Sequence, residues 1–119
     1  MQQIPLGGKL GLRGKVASYE LNALDEIDLA DRLYEDQSCE EAIAFAKELR
    51  DAADRQERQA TKTGKKPQGA AWEGTWDEKV KKFVWQKYST FEEALAAIRE
   101  AASWYEKVGR MGFGVHAWF

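Results

Sequence analysis

Apolar residues recur at helical spacing in two stretches of the chain. Ala42, Ile43, Ala46, Leu49 and Ala53 step by three and four, which is one face of an α-helix. Ala94, Leu95, Ile98, Ala101, Ala102 and Tyr105 form a second stripe of the same kind. Both begin with the same signal. Ser38 stands three residues before Glu41, and Thr90 three before Glu93. In such a capping box the hydroxyl accepts from the third helical amide while the glutamate reaches back to the cap. The pattern predicts a helix from Ser38 to about Gln59, its outer half charged on every side and projecting into solvent. It predicts another from Thr90 to a C-cap at Gly109, with Lys107 and Arg110 favourable at that end. The phrases Ser-Cys-Glu-Glu-Ala-Ile-Ala and Thr-Phe-Glu-Glu-Ala-Leu-Ala are alike. Two well-capped helices account for this, and an internal duplication would also produce it.

The remaining patterns are weaker. Residues 1–14 hold four glycines and a proline, which predicts loop with a short extended piece. Lys15 to Leu21 alternates weakly, with Val16 and Tyr19 or Leu21 pointing inward, and reads as a strand. Leu24 to Glu35 reads as a short acidic helix carrying Leu24, Ile27, Ala30 and Tyr34 on one side, with Leu33 beside them. Residues 60–70, rich in Gly, Pro and Lys, predict a flexible basic loop between two halves of the chain. Ala71–Trp76 and Val80–Tyr88 then predict a hairpin turning around Asp77 and Glu78. In its second strand Phe83 and Trp85 share a face with Lys81 and Lys87, while Val80, Val84 and Tyr88 share the other with Lys82. Gly112 to Phe119 closes the chain as an edge strand or an aromatic plug. The expected fold class is α+β: a single domain over residues 1–119, with a small antiparallel sheet of two to four strands packed against two or three α-helices.

Composition narrows the chemistry. The chain has 119 residues, 44% hydrophobic and 32% charged, the profile of one globular domain. It has one cysteine, so no internal disulfide, and its start has neither the basic nor the apolar region of a signal peptide. No apolar run is long enough for a membrane span. A cytoplasmic protein without membrane association is expected. The only histidine is His116, and Cys39 would be its only soft partner, which makes a poor start for a metal or nucleophilic site. Phosphate-loop and nucleophile-elbow motifs are absent. No catalytic residue, metal or cofactor is expected, which leaves a binding module.

Charge then divides the surface. Residues 1–59 carry 8 basic and 13 acidic side chains, a net of −5, and residues 60–119 carry 10 and 7, a net of +3. From Lys62 to Lys87 there are seven lysines, three acids and three interleaved tryptophans. Lysines neutralise phosphates and flat rings stack on bases. The candidate nucleic-acid surface is therefore Lys65, Lys66, Trp76, Lys79, Lys81, Lys82, Trp85 and Lys87. Equally, such a sheet can bury its tryptophans on the Thr90–Tyr105 helix and leave lysines outside. The second reading is a protein-binding inhibitor of a host defence complex, of the anti-CRISPR style. It would act through the acids Asp28, Asp31, Glu35 and Asp36, which resemble a phosphate backbone, or through Phe113, Trp118 and Phe119, which would dock into a partner or a second copy in a homodimer.

Gly69-Ala70-Ala71-Trp72, Lys79 to Trp85, and Tyr88-Ser89-Thr90-Phe91-Glu92-Glu93-Ala94 with Ala101-Ala102 together resemble the AP2-like and integrase-arm type of DNA-binding domain found in phage and mobile-element proteins. Ile4-Pro5-Leu6 with Gly14-Lys15-Val16-Ala17 is similar to the opening of phage homing endonucleases that carry such a domain. The resemblance covers residues 69–102. It implies a three-stranded sheet backed by one helix and inserted in the major groove, with the third strand drawn from residues 10–21 or 112–119. Lysines stand where that family reads bases with arginine, and its histidine-rich nuclease core is missing, so no cleavage is implied.

Overall fold

A computed structural model of the chain describes residues 3–5 and 11–116. These form β1 (Gln3–Pro5), α1 (Gly11–Ala23), α2 (Ile27–Arg32), α3 (Cys39–Thr63), β2 (Ala71–Asp77), β3 (Lys82–Tyr88), α4 (Phe91–Arg110) and β4 (Gly114–His116). The fold is α+β, with four helices and two sheets of two strands each among the described residues. β1 and β4 pair in parallel, and β2 and β3 pair antiparallel. None of the described helices is long and apolar enough to cross a membrane.

The antiparallel pair α3 and α4 makes the body. Both capping boxes form: Ser38 Oγ accepts from the Glu41 amide and Thr90 Oγ1 from the Glu93 amide, and each glutamate accepts from its cap amide. The α3 stripe of Ala42, Phe45, Ala46, Leu49, Ala52 and Ala53 faces the α4 stripe of Ala94, Leu95, Ile98, Ala102 and Tyr105, all buried. Phe45 meets Tyr105 edge-on, ring centres 5.0 Å apart. The predicted end of α3 is corrected. Ala60 continues the stripe seven residues beyond Ala53 and is buried, so the helix runs to Thr63 and takes residues 60–63 from the expected loop. Arg99 ties the helices through Asp54 and Glu57, and Arg50 through Glu106. These pairs are partly exposed and contribute little each.

The C-cap expected at Gly109 is also corrected. Gly109 lies inside α4, and the chain leaves the helix three residues later. Gly112 takes the left-handed conformation, its amide bonds Gly109 O, and the Phe113 amide bonds Val108 O, a Schellman closure. Gly109 serves a different purpose. A Cβ there would sit 2.7 Å from Cys39 O and 2.6 Å from Ile43 Cγ1, so its bare backbone lets the first turn of α3 approach α4 closely.

The strand expected at Lys15–Leu21 is a helix. The helix packs on α4 and α2; Ala17, Leu21 and Leu24, at steps of four and three, are buried, as are Ser18 and Glu20, whereas Val16 and Tyr19 are exposed. The same closure ends α1. Asp25 adopts a positive φ, its amide bonds Asn22 O, and the Glu26 amide bonds Leu21 O. This turn shortens the helix expected over residues 24–35 to Ile27–Arg32. Ala30 and Leu33 are buried there, while Ile27 and Tyr34 are not.

β4 lies on α3 and α4. Besides pairing with β1 it exchanges two backbone hydrogen bonds with Gln37, the Gln37 amide donating to Val115 O and the Val115 amide to Gln37 O, and the Val115 side chain is wholly buried. Phe113 packs half-buried against the core. The closing segment is therefore both strand and plug as far as His116; Trp118 and Phe119 lie outside the described residues.

Candidate functional site

The β2–β3 hairpin stands apart from this core. Its ends are fixed by main-chain bonds between Gly69 and Ser89 and between Ser89 and Ala70, and by the buried Glu20 carboxylate of α1, which accepts from the Ala70 amide. Beyond that base the large apolar side chains are open, except the partly buried Val84. Trp72 is 61% exposed, Trp76 53%, Phe83 50%, Trp85 50% and Val80 52%. The expectation that the tryptophans of one sheet face bury against α4 is thus overturned. The α4 stripe packs against α3 and α1 instead.

Register assigns the faces. Trp76 pairs with Phe83 and Gly74 with Trp85, so Trp76, Phe83 and Trp85 share one face. Thr75 pairs with Val84 and Asp77 with Lys82 on the other, where Gln86 Nε2 also donates to Thr75 Oγ1. One face is aromatic and the other mostly polar. Gly74 shapes the aromatic one. A Cβ on it would lie 2.5 Å from Phe83 Cε1 and 3.1 Å from Trp85 Cε3, so both rings approach bare backbone closely. They meet edge-to-face, with centroids 5.0 Å apart and planes 70° to one another. A register irregularity between Glu73 and Gly74 then carries Lys87 toward Trp72. There its ammonium lies 5.2 Å over the indole and 3.0 Å from Glu73.

The expected lysines separate into two groups. Lys87 is held by Glu73, Lys81 by Glu78 and Lys66 by Glu92. In the last pair the mutual hydrogen bond raises the Lys66 ammonium above its ordinary range and lowers the Glu92 carboxyl. Lys79 and Lys82 make no ion pair among the described residues. Lys79 sits in the four-residue turn, where its amide bonds the Asp77 carboxylate, and Lys82 is on the polar face. Lys65 and Lys66 are not beside the aromatic face. Lys65 lines a cleft of about 510 Å³ with Glu26, Arg55 and Gln56, and Lys66 one of about 430 Å³ with Phe91 and Leu95.

The acidic candidates form no comparable surface. Asp28 and Asp31 are exposed on α2, and Glu35 and Asp36 lie in the bend that follows. Asp36 is 2.9 Å from His116 Nδ1. Cys39 lies at the α3 start, where the Glu40 carboxylate, through a hydrogen bond first and then its charge, together with desolvation, pushes the thiol pKa up. That environment disfavours the thiolate.

Sequence reasoning missed Glu20 and Gly74. A lone glycine inside a strand pattern was a signal for the second. Glu20 falls in the buried stripe only once α1 is read as a helix. Among the described residues neither candidate third strand joins the hairpin, since residues 11–23 are helical and Gly114–His116 pairs with β1. The chain matches no family model, and no curated protein or solved structure matches it.

Proposed function

We propose that this protein is a non-enzymatic nucleic-acid-binding module whose contact element is the projecting β2–β3 hairpin. The observation that carries this reading is one sheet face of Trp76, Phe83 and Trp85, each half exposed, on an arm whose tip and opposite face carry Lys79 and Lys82, which make no ion pair among the described residues. A hairpin with neither face covered is marginal in water, so a ligand that covers it adds stability as well as contact. Charge supports the same reading. Residues 61–89 carry seven lysines and three acids, a net of +4, while the rest of the chain carries −6. A polyanion is drawn to the first and turned away from the second. The resemblance to AP2-like domains, which also use a small sheet, points the same way.

The test is a titration of fluorescently labelled oligonucleotides by anisotropy. Binding is expected at about 50 mM salt, and it weakens as salt rises with a shallow log–log slope of about −2, since few phosphates are neutralised. The charge reversal K79E/K82E weakens it. An absence of binding at low salt to both single strands and duplexes overturns the reading and transfers the aromatic face to a protein partner.

A further inference from the structure

We infer that the nucleic acid this hairpin takes is single-stranded, with unstacked bases laid on Trp76, Phe83 and Trp85; this rests on the nucleic-acid reading above. A duplex offers a protein phosphates and base edges, while its base faces are stacked away. The hairpin is poorly equipped for edges. There is no arginine between Arg58 and Arg99, and the Gln86 amide is already turned to Thr75. What it offers is ring faces. The Phe83 and Trp85 planes are 70° apart, so two bases stacked on them cannot be parallel to each other. Neighbouring bases in a duplex are parallel. A single strand meets the requirement because its free backbone torsions let successive bases splay.

The rest of the hairpin narrows the contact further. Trp72 is open as well, but one face of its ring is already taken by the Lys87 ammonium, which Glu73 holds in place, so the platform is assigned to the other three rings. Gly74 leaves the space in which the Phe83 and Trp85 rings hold each other edge-to-face before any ligand arrives, which lowers the ordering cost of binding. Lys79 at the tip and Lys82 on the adjoining strand are placed for phosphates that pass over the end of the arm. Stacking, at about 1–3 kcal/mol per base, then outweighs what two lysines supply.

The experiment uses the full chain with labelled oligo-dT and oligo-rU of about 15 nucleotides and a duplex of equal length at low salt. Single strands are expected to bind at least tenfold more tightly than duplex. The variant F83A/W85A, checked for an unchanged helical circular-dichroism spectrum, loses at least tenfold on single strands and leaves the duplex value unaltered. K79A/K82A weakens both. The comparison of oligo-dT with oligo-rU shows whether the sugar is read, and equal affinity is expected because every contact named is to base or phosphate. Duplex binding as tight as single-strand binding, or an F83A/W85A variant with full affinity while K79A/K82A is impaired, overturns the single-strand inference and leaves the nucleic-acid reading standing. If nothing binds, the reading beneath it fails.

Discussion

Tyr105 sits at the centre of the α3–α4 contact with no exposed surface, and its hydroxyl has no hydrogen-bond partner among the described residues. A buried hydroxyl without a partner has lost its water and gained nothing in return, a cost of about 1–3 kcal/mol. The Phe45 ring against it would pack on phenylalanine equally well. Tyr105→Phe is therefore expected to unfold at the same urea concentration or a higher one, by up to about 1 kcal/mol. The same burial pushes the phenol pKa well up. The neutral form is favoured in the fold, so the unfolded chain ionises first, near pH 10. Stability linked to this group is complete below that pH and falls as pH rises above it. Urea midpoints measured from pH 8 to pH 11 should fall less steeply for Tyr105→Phe than for the parent chain. An equal slope removes Tyr105 as the cause.

At the scale of elements, the way the hairpin joins the body rests on one side chain. Glu20 comes from α1, is 1% exposed, and accepts the Ala70 amide at the root of β2. Glu20→Ala is expected to speed hydrogen exchange at Ala70 by roughly 10- to 100-fold, the loss of one charge-assisted bond, while amides of α3 keep their protection. Glu20→Gln keeps an acceptor oxygen and should restore most of it. Fast exchange throughout α3 in Glu20→Ala would show that Glu20 supports the core instead. The two capped helices and the hairpin were legible in the sequence because each carries its own local signal: a hydroxyl three before a glutamate, or β-formers around a charged turn. α1 was not, because its buried positions include Ser18 and Glu20, which read as polar surface. Its helical spacing of Ala17, Leu21 and Leu24 was hidden by the exposed Val16 and Tyr19. The positive φ at Asp25, which divides α1 from α2, uses a residue that tolerates that conformation without demanding it. Of the candidate site, Trp76, Trp85, Lys79 and Lys82 could be named from composition. Their division from Lys81 and Lys87 could not, because it depends on cross-strand register and on which acid each lysine meets.

Over the whole molecule, extents of 54 × 35 × 20 Å describe a helical body with an arm. No apolar side chain between Ala60 and Phe91 belongs to the core. The body should therefore fold without the arm. The root strands are already joined, since the Ser89 amide bonds Ala70 O at 2.9 Å, so a short glycine link can replace residues 71–88 without moving either end. The shortened chain is expected to keep a cooperative urea transition within about 1 kcal/mol of the parent, because the removed surface was exposed in both states. Its radius of gyration, by solution scattering, falls below that of the full chain, which is 15.7 Å over Cα atoms. Loss of cooperativity would mean that the arm contributes to the core and that its aromatics are structural. If instead the body stays folded, the same variant decides between the two surfaces. Binding that disappears with residues 71–88 belongs to the arm. A partner still held by the shortened chain must meet the helical body, where Asp28, Asp31 and Glu35 are among the exposed charges.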